Sequence, residues 1–559
     1  MRSLLPLLLI PPTFSYSPDT LLPFSTPACA CVPWSKNLTS LTLFSDPTLV
    51  STQNSSICAL PALAVNPDPT NTAEYDIYDG YCLCDPSTTE GGAWYSWCTP
   101  SEEVPTQINL LATGATSVVV NFVVADGGRL ASDASSNPVA ELKVAGSDEV
   151  VKFTGFSTLY SDSTSSRSMS YFNVPIADLS PRTSYTYRVS GSSDSPFSSW
   201  STFRSLYSEG TTKFAMYADM GIFGNEDAFS LPSLSRHNIG NVLDDFTRGD
   251  VDFIVHSGDH AYEFEVNGGA RGDGYMDQYS AVLRRAPWLP GWGNHEYLEM
   301  DRGNRLGNIT AGLIEELGQD RMHYSVDVGL VHIVQLDLSP YYCNFEGCYG
   351  VDTCGFPDKW LDDETQTGDF EGYREELLTF LESDLDSVDR DKTPWVIVTS
   401  HFPMYDTTDL SASSSASEKD FGASGKRAAS DSSSSSSSDL TPSRELATAD
   451  IEPLLLSHNV DIYFCGHNHN YETTWPVYNG TITQKDFVNP KAPVHILAGS
   501  AGPPETDVFT DDSPDWSREP RLTNNSYSRV HMWNATHMRY QQVANDDGVI
   551  LDSFVVVKE

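Results

Sequence analysis

Apolar and polar positions fall into three regimes along the chain. Residues 18–104 are rich in Pro, Ser, Thr and Cys and show little periodicity. Residues 105–207 carry short runs of β-branched and aromatic residues divided by turn residues, at 116–125, 150–156, 170–176, 183–191 and 199–205. That spacing predicts a β-sandwich, with a β-barrel of similar length as the alternative. From 211 onward, apolar runs at 213–219, 252–259, 332–337, 395–401 and 461–467 predict buried strands. Helical patterns lie between several of them. The clearest puts Tyr373, Leu377, Leu381, Leu385 and Val388 on one stripe, opposite acidic residues. Such alternation predicts layered sheets covered by helices, with ligands at the C-terminal ends of strands. Residues 410–443 break the order. A serine run at 432–438 and few large apolar residues predict a flexible insertion, read as an inert surface loop rather than a lid.

Composition narrows the class. A chain of 559 residues, 39% hydrophobic and 19% charged, has material for about three or four globular domains. A net charge of −43 excludes nucleic acid and anionic membrane surfaces as partners. A phosphate substrate would have to be attracted locally, by metal charge. Arg2 followed by the apolar residues 4–10 predicts a secretory signal over 1–17, the alternative being an apolar strand. Asn37, Asn54, Asn308, Asn479, Asn524 and Asn534 stand in N-x-S/T sequons, which fits surface glycosylation. No other stretch has the length of a membrane span. Cys29, Cys31, Cys58, Cys82, Cys84 and Cys98 crowd the start without nearby His, so 18–104 reads as a small disulfide-stapled module whose pairing stays open. Cys343, Cys348 and Cys354 share one loop and predict at least one bridge, whereas Cys465, inside a strand, reads as a buried thiol.

The chemistry resides in five short segments: YADMG (217–221), GDHAY (258–262), GNHE (293–296), SHFP (400–403) and GHNHNYE (466–472). Each is weak alone. Together they supply Asp219, Asp259, Tyr262, Asn294, His401, His467 and His469, ligands suited to iron, zinc or manganese. Two cations at close range repel unless an anion lies between them, and Asp259 is the candidate bridge. Asp219, Tyr262 and His469 make a hard, negative side suited to a trivalent ion such as Fe(III). Asn294, His401 and His467 are neutral and suit a divalent partner. Gly466 allows close approach of the two alternating histidines. Dinuclear sites polarise a phosphoryl oxygen and deprotonate bound water. His295, next to Asn294, is placed to bind phosphate or protonate a leaving oxygen. His256, His260 and His323 read as structural or supporting groups.

These residues resemble the purple acid phosphatases, a branch of the calcineurin-like metallophosphoesterases. The shared pattern is D-x-G at 219–221, GD-x-x-Y at 258–262, GNHE at 293–296, His401 after an apolar strand, and GH-x-H at 466–469. Tyr262 marks the branch. The resemblance covers roughly residues 105–559. It implies a fibronectin-III-like domain over 105–207 and an α/β/β/α four-layer metallophosphoesterase domain over 211–559 with closing C-terminal strands. It implies Fe(III) on Asp219, Asp259, Tyr262 and His469, and divalent Zn, Mn or Fe on Asp259, Asn294, His401 and His467, with His295 binding phosphate or donating a proton. Two departures stand out. Plant members carry a histidine pair after the His401 motif, absent here, which leaves leaving-group protonation to His295. Thr473 stands where the family often has Arg, which implies the loss of a local ion pair. The expectation is a secreted, glycosylated dinuclear acid phosphatase acting on small phosphate monoesters, outside the cell or in an acidic lysosome- or vacuole-like compartment. The alternatives are a phosphodiesterase or pyrophosphatase on the same metals, and an adhesion protein with a relict catalytic domain.

Overall fold

Each apolar run between 116 and 205 forms a strand, and two more, Val104–Ala112 and Val139–Val144, join them. The chain is seen here as a computed structural model. It describes residues 29–33, 56–59, 80–84, 104–126, 129–130, 137–162, 167–221, 235–262, 264, 270–297, 304–320, 322–343, 369–408, 441–503, 506–511 and 513–559. The expected leader, Asn37, Asn54 and residues 409–440 lie outside them, as does most of 18–104. Of that stretch, Cys29–Pro33, Ser56–Ala59 and Gly80–Cys84 form a three-stranded sheet. A cysteine-stapled module finds no support among the described residues.

The strands after 104 build a β-sandwich. One sheet is Ser201–Arg204, Ser184–Ser190, Val139–Val144 and Val151–Thr154 in that order. The facing layer is Val104–Ala112, Val118–Asp126, Arg167–Ile176 and Phe156–Asp162. Val120, Phe122, Leu142, Phe172, Tyr187 and Phe203 fill the space between. Phe122 and Phe172 stack at 5.3 Å. Burying each such side chain contributes about 1.5–3 kcal/mol, which is what makes the alternation of apolar positions readable.

The facing layer does not end at its edge. Leu111 pairs in parallel with Trp288, so the layer continues into Trp288–Gly291, Phe253–Ser257 and Thr212–Tyr217, then into the antiparallel strands Ser526–Asn534, His537–Ala544 and Ile550–Val557. Trp288 Nε1 donates to Asn109 Oδ1 across this junction at 3.2 Å. A second sheet of seven strands runs His323–Val328, Val331–Leu336, Trp395–Thr399, Ile462–Cys465, Val494–Ala498, Tyr471–Thr474, Ser517–Leu522. One continuous core joins the two sheets, with Phe214, Val255 and Leu289 from the first and Val334, Ile397, Phe464 and Leu497 from the second. Phe253–Ser257, Trp395–Thr399 and Ile462–Cys465 are buried on both faces. That is why they read as unbroken apolar runs.

Helix Phe370–Ser387 buries Tyr373, Leu377, Leu381 and Leu385, as the stripe predicts, and starts where Asp369 Oδ1 accepts the Gly372 N–H at 3.1 Å. Val388 is its extended cap residue rather than part of the helix. Helix Thr441–Ser457 begins inside the stretch expected to be flexible, so that insertion ends by residue 440, three residues early. Cys465 is a buried free thiol. Asn479, Asn524 and Asn534 are exposed, whereas Asn308 is buried in helix Asn304–Leu317.

Candidate metal centre

Every segment singled out in the sequence leaves the C-terminal end of a parallel strand: Asp219 after Thr212–Tyr217, Asp259 after Phe253–Ser257, Asn294 after Trp288–Gly291, His401 after Trp395–Thr399, His467 and His469 after Ile462–Cys465. Three strands belong to one sheet and two to the other. The site therefore forms where the two sheets' ends converge.

The turns that aim these side chains are unusual. Asp219, Asp259, Tyr262 and His467 all have positive φ, at 60°, 52°, 53° and 73°. L-residues enter this region at a cost of order 1–3 kcal/mol each. The surroundings hold them there. Asp219, Met220 and Gly221 donate their N–H groups to the carbonyls of Gly258, Asp259 and His260 at 3.2, 3.0 and 2.9 Å, so the first two loops run as a ladder. The His467 N–H donates to Asp219 Oδ2 at 2.8 Å. A Cβ on Gly466 would lie 2.3 Å from that same oxygen, which explains the glycine.

The seven side chains meet in two connected groups. In the first, the Tyr262 hydroxyl lies 3.3 Å from Asp219 Oδ1 and 2.7 Å from His469 Nε2, while His469 Nε2 is 3.6 Å from Asp219 Oδ1. In the second, ligand atoms of Asp259, His401 and His467 lie within 4.8 Å of one another, and His467 Nδ1 is 3.1 Å from Asn294 Oδ1. His401 Nε2 connects the groups, 3.0 Å from Asp259 Oδ2 and 3.9 Å from Asp219 Oδ1. This nitrogen is buried and makes no well-directed hydrogen bond. Its other ring nitrogen is held by the Ser257 carbonyl at 3.0 Å. An orphaned imidazole nitrogen facing two carboxylates, beside a phenol and an amide oxygen, is a donor set that fits transition-metal ions.

Electrostatics point the same way. Burial pushes Asp219 up, assisted by the charge of Asp259. Burial acts on Asp259 in the same sense, but His401 and His295 outweigh it and hold Asp259 well below the usual carboxylate range. Burial would lower His401, yet Asp259 and Asp219 raise it to about 9. Burial and then Asp219 drive the Tyr262 phenol far upward, so a phenolate here requires a cation beside it. Asp259 thus finds a counter-charge within the protein, whereas Asp219 and Tyr262 do not and would ionise only beside a cation.

His295 stands at the rim, its side chain 17% exposed, with Nε2 3.7 Å from Asp259 Oδ2 and its ring edge-on to Tyr262 at 4.7 Å. Its backbone N–H donates to Asp259 Oδ1 at 3.1 Å. His256 and His260 are instead buried behind the site, 3.0 Å apart through Nδ1 atoms, with His260 Nε2 against the Gly291 carbonyl at 3.0 Å. Burial lowers both, His260 to about 4, so they remain neutral supports. His323 lies on the second sheet, on strand His323–Val328. The family's missing ion pair at Thr473 is answered locally. Arg518, from the neighbouring strand, donates to Thr473 Oγ1 at 3.2 Å and pairs with Asp552 at 2.6 Å.

Two residues of the site carried no role in the sequence reading. Glu296 is fully buried and accepts the N–H groups of Asp259, His260 and Gly293 at 2.9, 2.9 and 2.8 Å. Burial and Asp259 raise it to about 7. Its place in GNHE was the available signal. Asp507 accepts the His469 N–H at 2.7 Å from a distant loop, and no motif announces it.

Comparison with known proteins agrees with this architecture. The family model of the purple acid phosphatase N-terminal domain matches residues 105–205. That of calcineurin-like phosphoesterases matches 212–471, and that of iron/zinc purple acid phosphatase-like protein C matches 492–553. Acid phosphatase type 7 of Danio rerio is 30% identical over 73% of this chain and 82% of its own length. The Homo sapiens protein of that name is 27% identical over 70% of this chain and 78% of its own. Among solved structures, a purple acid phosphatase from yellow lupin seeds superposes with a TM-score of 0.59 at 18% identity, covering 82% of this chain and 75% of the other, a likeness of fold.

Proposed function

Since this chain belongs to the purple acid phosphatases, and is an acid phosphatase built on a calcineurin-like metallophosphoesterase domain, we propose that it hydrolyses small phosphate monoesters at a dinuclear centre held by the seven residues above. Asp219, Asp259, Tyr262 and His469 would hold a ferric ion, and Asp259, Asn294, His401 and His467 a divalent zinc, manganese or iron, with the Asp259 carboxylate shared between the two groups. The observation that carries this reading is the convergence of both groups of ligands around His401 Nε2, within 3.9 Å of two buried carboxylates. When bound, the two ions supply Lewis acidity and a nucleophile drawn from water.

The protein's own groups do the rest. The carboxylates of Asp219 and Asp259 would supply the negative charge that balances the cations, with the imidazoles as neutral donors. His295, on the rim, faces the space where the ester would lie, and an N–H of its ring there can donate to a phosphoryl or leaving-group oxygen. His256 and His260, neutral at the back, keep the Asp259 turn rigid. The stretch directly after the His401 motif, residues 404–415, holds no histidine, which leaves His295 as the candidate proton donor. Secretion and glycosylation belong to this reading too, supported by exposed Asn479, Asn524 and Asn534 and by the apolar N-terminal residues. The complete ligand set disfavours a relict site, and nothing in the site favours diesters. The test is Asp259→Ala: metal content at both positions falls and phosphatase activity is abolished. Full occupancy with normal turnover would remove Asp259 as the bridge.

A further inference from the structure

His323 opens strand His323–Val328 and is 1% exposed, yet among the described residues neither of its ring nitrogens has a hydrogen-bond partner. A buried imidazole left so costs free energy unless something else satisfies it. Its ring is fixed by neighbours, edge-on to Tyr373 at 5.9 Å and tilted against Phe380 at 5.1 Å. Two carboxylates flank it: Asp320, in the turn after helix Asn304–Leu317, and Glu376, on helix Phe370–Ser387. One ligand atom from each of the three lies within 4.8 Å of the other two, and His323 Nε2 is 3.7 Å from Glu376 Oε1. The Met322 N–H donates to Asp320 Oδ1 at 2.9 Å, which orients that carboxylate. An open surface groove along helix Phe370–Ser387 has Glu376 and Phe380 in its wall, so one carboxylate of the triad borders solvent while His323 lies beneath it.

We infer that Asp320, His323 and Glu376 form a third metal site, separate from the dinuclear centre, that takes a single divalent ion of the zinc or manganese type. One imidazole and two carboxylates suit borderline and hard first-row ions, and three protein ligands leave the rest of the shell to water. None of the three residues belongs to the phosphatase motifs. The ion would tie together a helix end, a sheet edge and the outer helix Phe370–Ser387, adding to the hydrogen bonds by which Ser325 already reaches Gln319 on one side and Asp384 on the other. Its role is structural: binding to the folded form alone adds stability with rising ion concentration.

The test uses zinc as the only probe on the full chain. Protein stripped with chelator is equilibrated with zinc, passed through a desalting column and analysed for metal, alongside Glu376→Gln and Asp320→Asn. The wild type is expected to retain one more ion per chain than either variant, with phosphatase activity of the variants unchanged. Zinc should raise the melting temperature of Asp259→Ala protein, whose dinuclear centre is crippled, and Glu376→Gln added to that background should abolish the rise. Glu376 is a surface residue, so this variant keeps the fold intact where replacement of His323 would endanger it. Equal metal content in wild type, Glu376→Gln and Asp320→Asn, or a zinc-dependent rise that survives Glu376→Gln in the Asp259→Ala background, would overturn the site.

Discussion

The carboxylate of Glu296 caps the turn that presents Asp259, accepting the Asp259 N–H at 2.9 Å while Asp259 itself sits at a φ of 52°. The same carboxylate takes the N–H of Gly293 at 2.8 Å, so one buried side chain clamps two ligand-bearing loops. Glu296→Gln should therefore weaken both. Its amide keeps one acceptor oxygen and turns an NH₂ toward backbone donors, leaving at least one of them unsatisfied at a cost of about 1–3 kcal/mol. Denaturant unfolding should show that loss, and metal affinity should fall with it, although Glu296 touches no substrate. Unchanged stability and metal content would show that the clamp is dispensable.

His295→Ala should keep both metals and lower turnover about 10²–10⁴-fold, the range of general-acid groups. The loss should shrink for esters with good leaving groups, which need no proton. Steady-state rates over a leaving-group series decide this, and an equal loss across the series would assign His295 to phosphate positioning.

Tyr262→Phe should retain iron but lose a visible absorption band. The phenol is pushed far upward by burial and by Asp219, so it ionises only against a cation, and phenolate bound to Fe(III) absorbs in the visible. A spectrum of oxidised, iron-loaded wild type beside the variant is the check. A colourless wild type, or a coloured variant, would take Tyr262 out of the ligand set.

His332 makes stability depend on pH on the alkaline side. Its ring lies between Asp327 at 2.7 Å and Asp384 at 2.8 Å. Burial opposes the charged form, but the two carboxylates prevail and raise it to about 9. Its folded pKa exceeds its unfolded one, so the stabilisation is complete below about pH 6.5 and disappears as pH rises through about 9. Between those values wild-type stability should fall by up to about 1.4 kcal/mol per pH unit relative to His332→Gln. Parallel urea titrations at several pH values test it, and identical slopes for the two proteins would refute the coupling.

Much of this was legible because the ligands sit where apolar runs stop. Asp259, His401 and His467 each follow a run buried on both faces, and Asp219 follows one buried save for Lys213, so the end of hydrophobicity marked the end of a strand. What could not be read was conformation. Nothing in the letters says that Asp219, Asp259, Tyr262 and His467 share positive φ, since that strain is imposed by the neighbouring loops. Asp507 was equally silent, because its contact with His469 joins residues 38 apart in sequence through a loop without periodicity. Val104–Ala112 escaped because Gln107 and Asn109, polar but buried, interrupt its apolar pattern. Asn109 Nδ2 reaches Asn121 Oδ1 at 3.0 Å, and Asn121 Nδ2 reaches Asn173 Oδ1 at 3.0 Å, a polar chain that only the paired strands create.

The parallel pairing of Leu111 with Trp288 gives the β-sandwich a duty apart from its own fold. A catalytic sheet that stopped at Trp288–Gly291 would present open amides and carbonyls to any passing strand, an invitation to polymerise. Val104–Ala112 occupies that edge, and beyond it the sheet ends in Phe156–Asp162, four strands from the chemistry. Tyr187 also reaches across to the Arg284 carbonyl at 2.8 Å, pinning the opposite layer to the same border. The sandwich is in this sense a stopper: severed from it, the phosphatase half would keep its ligands and gain a sticky seam.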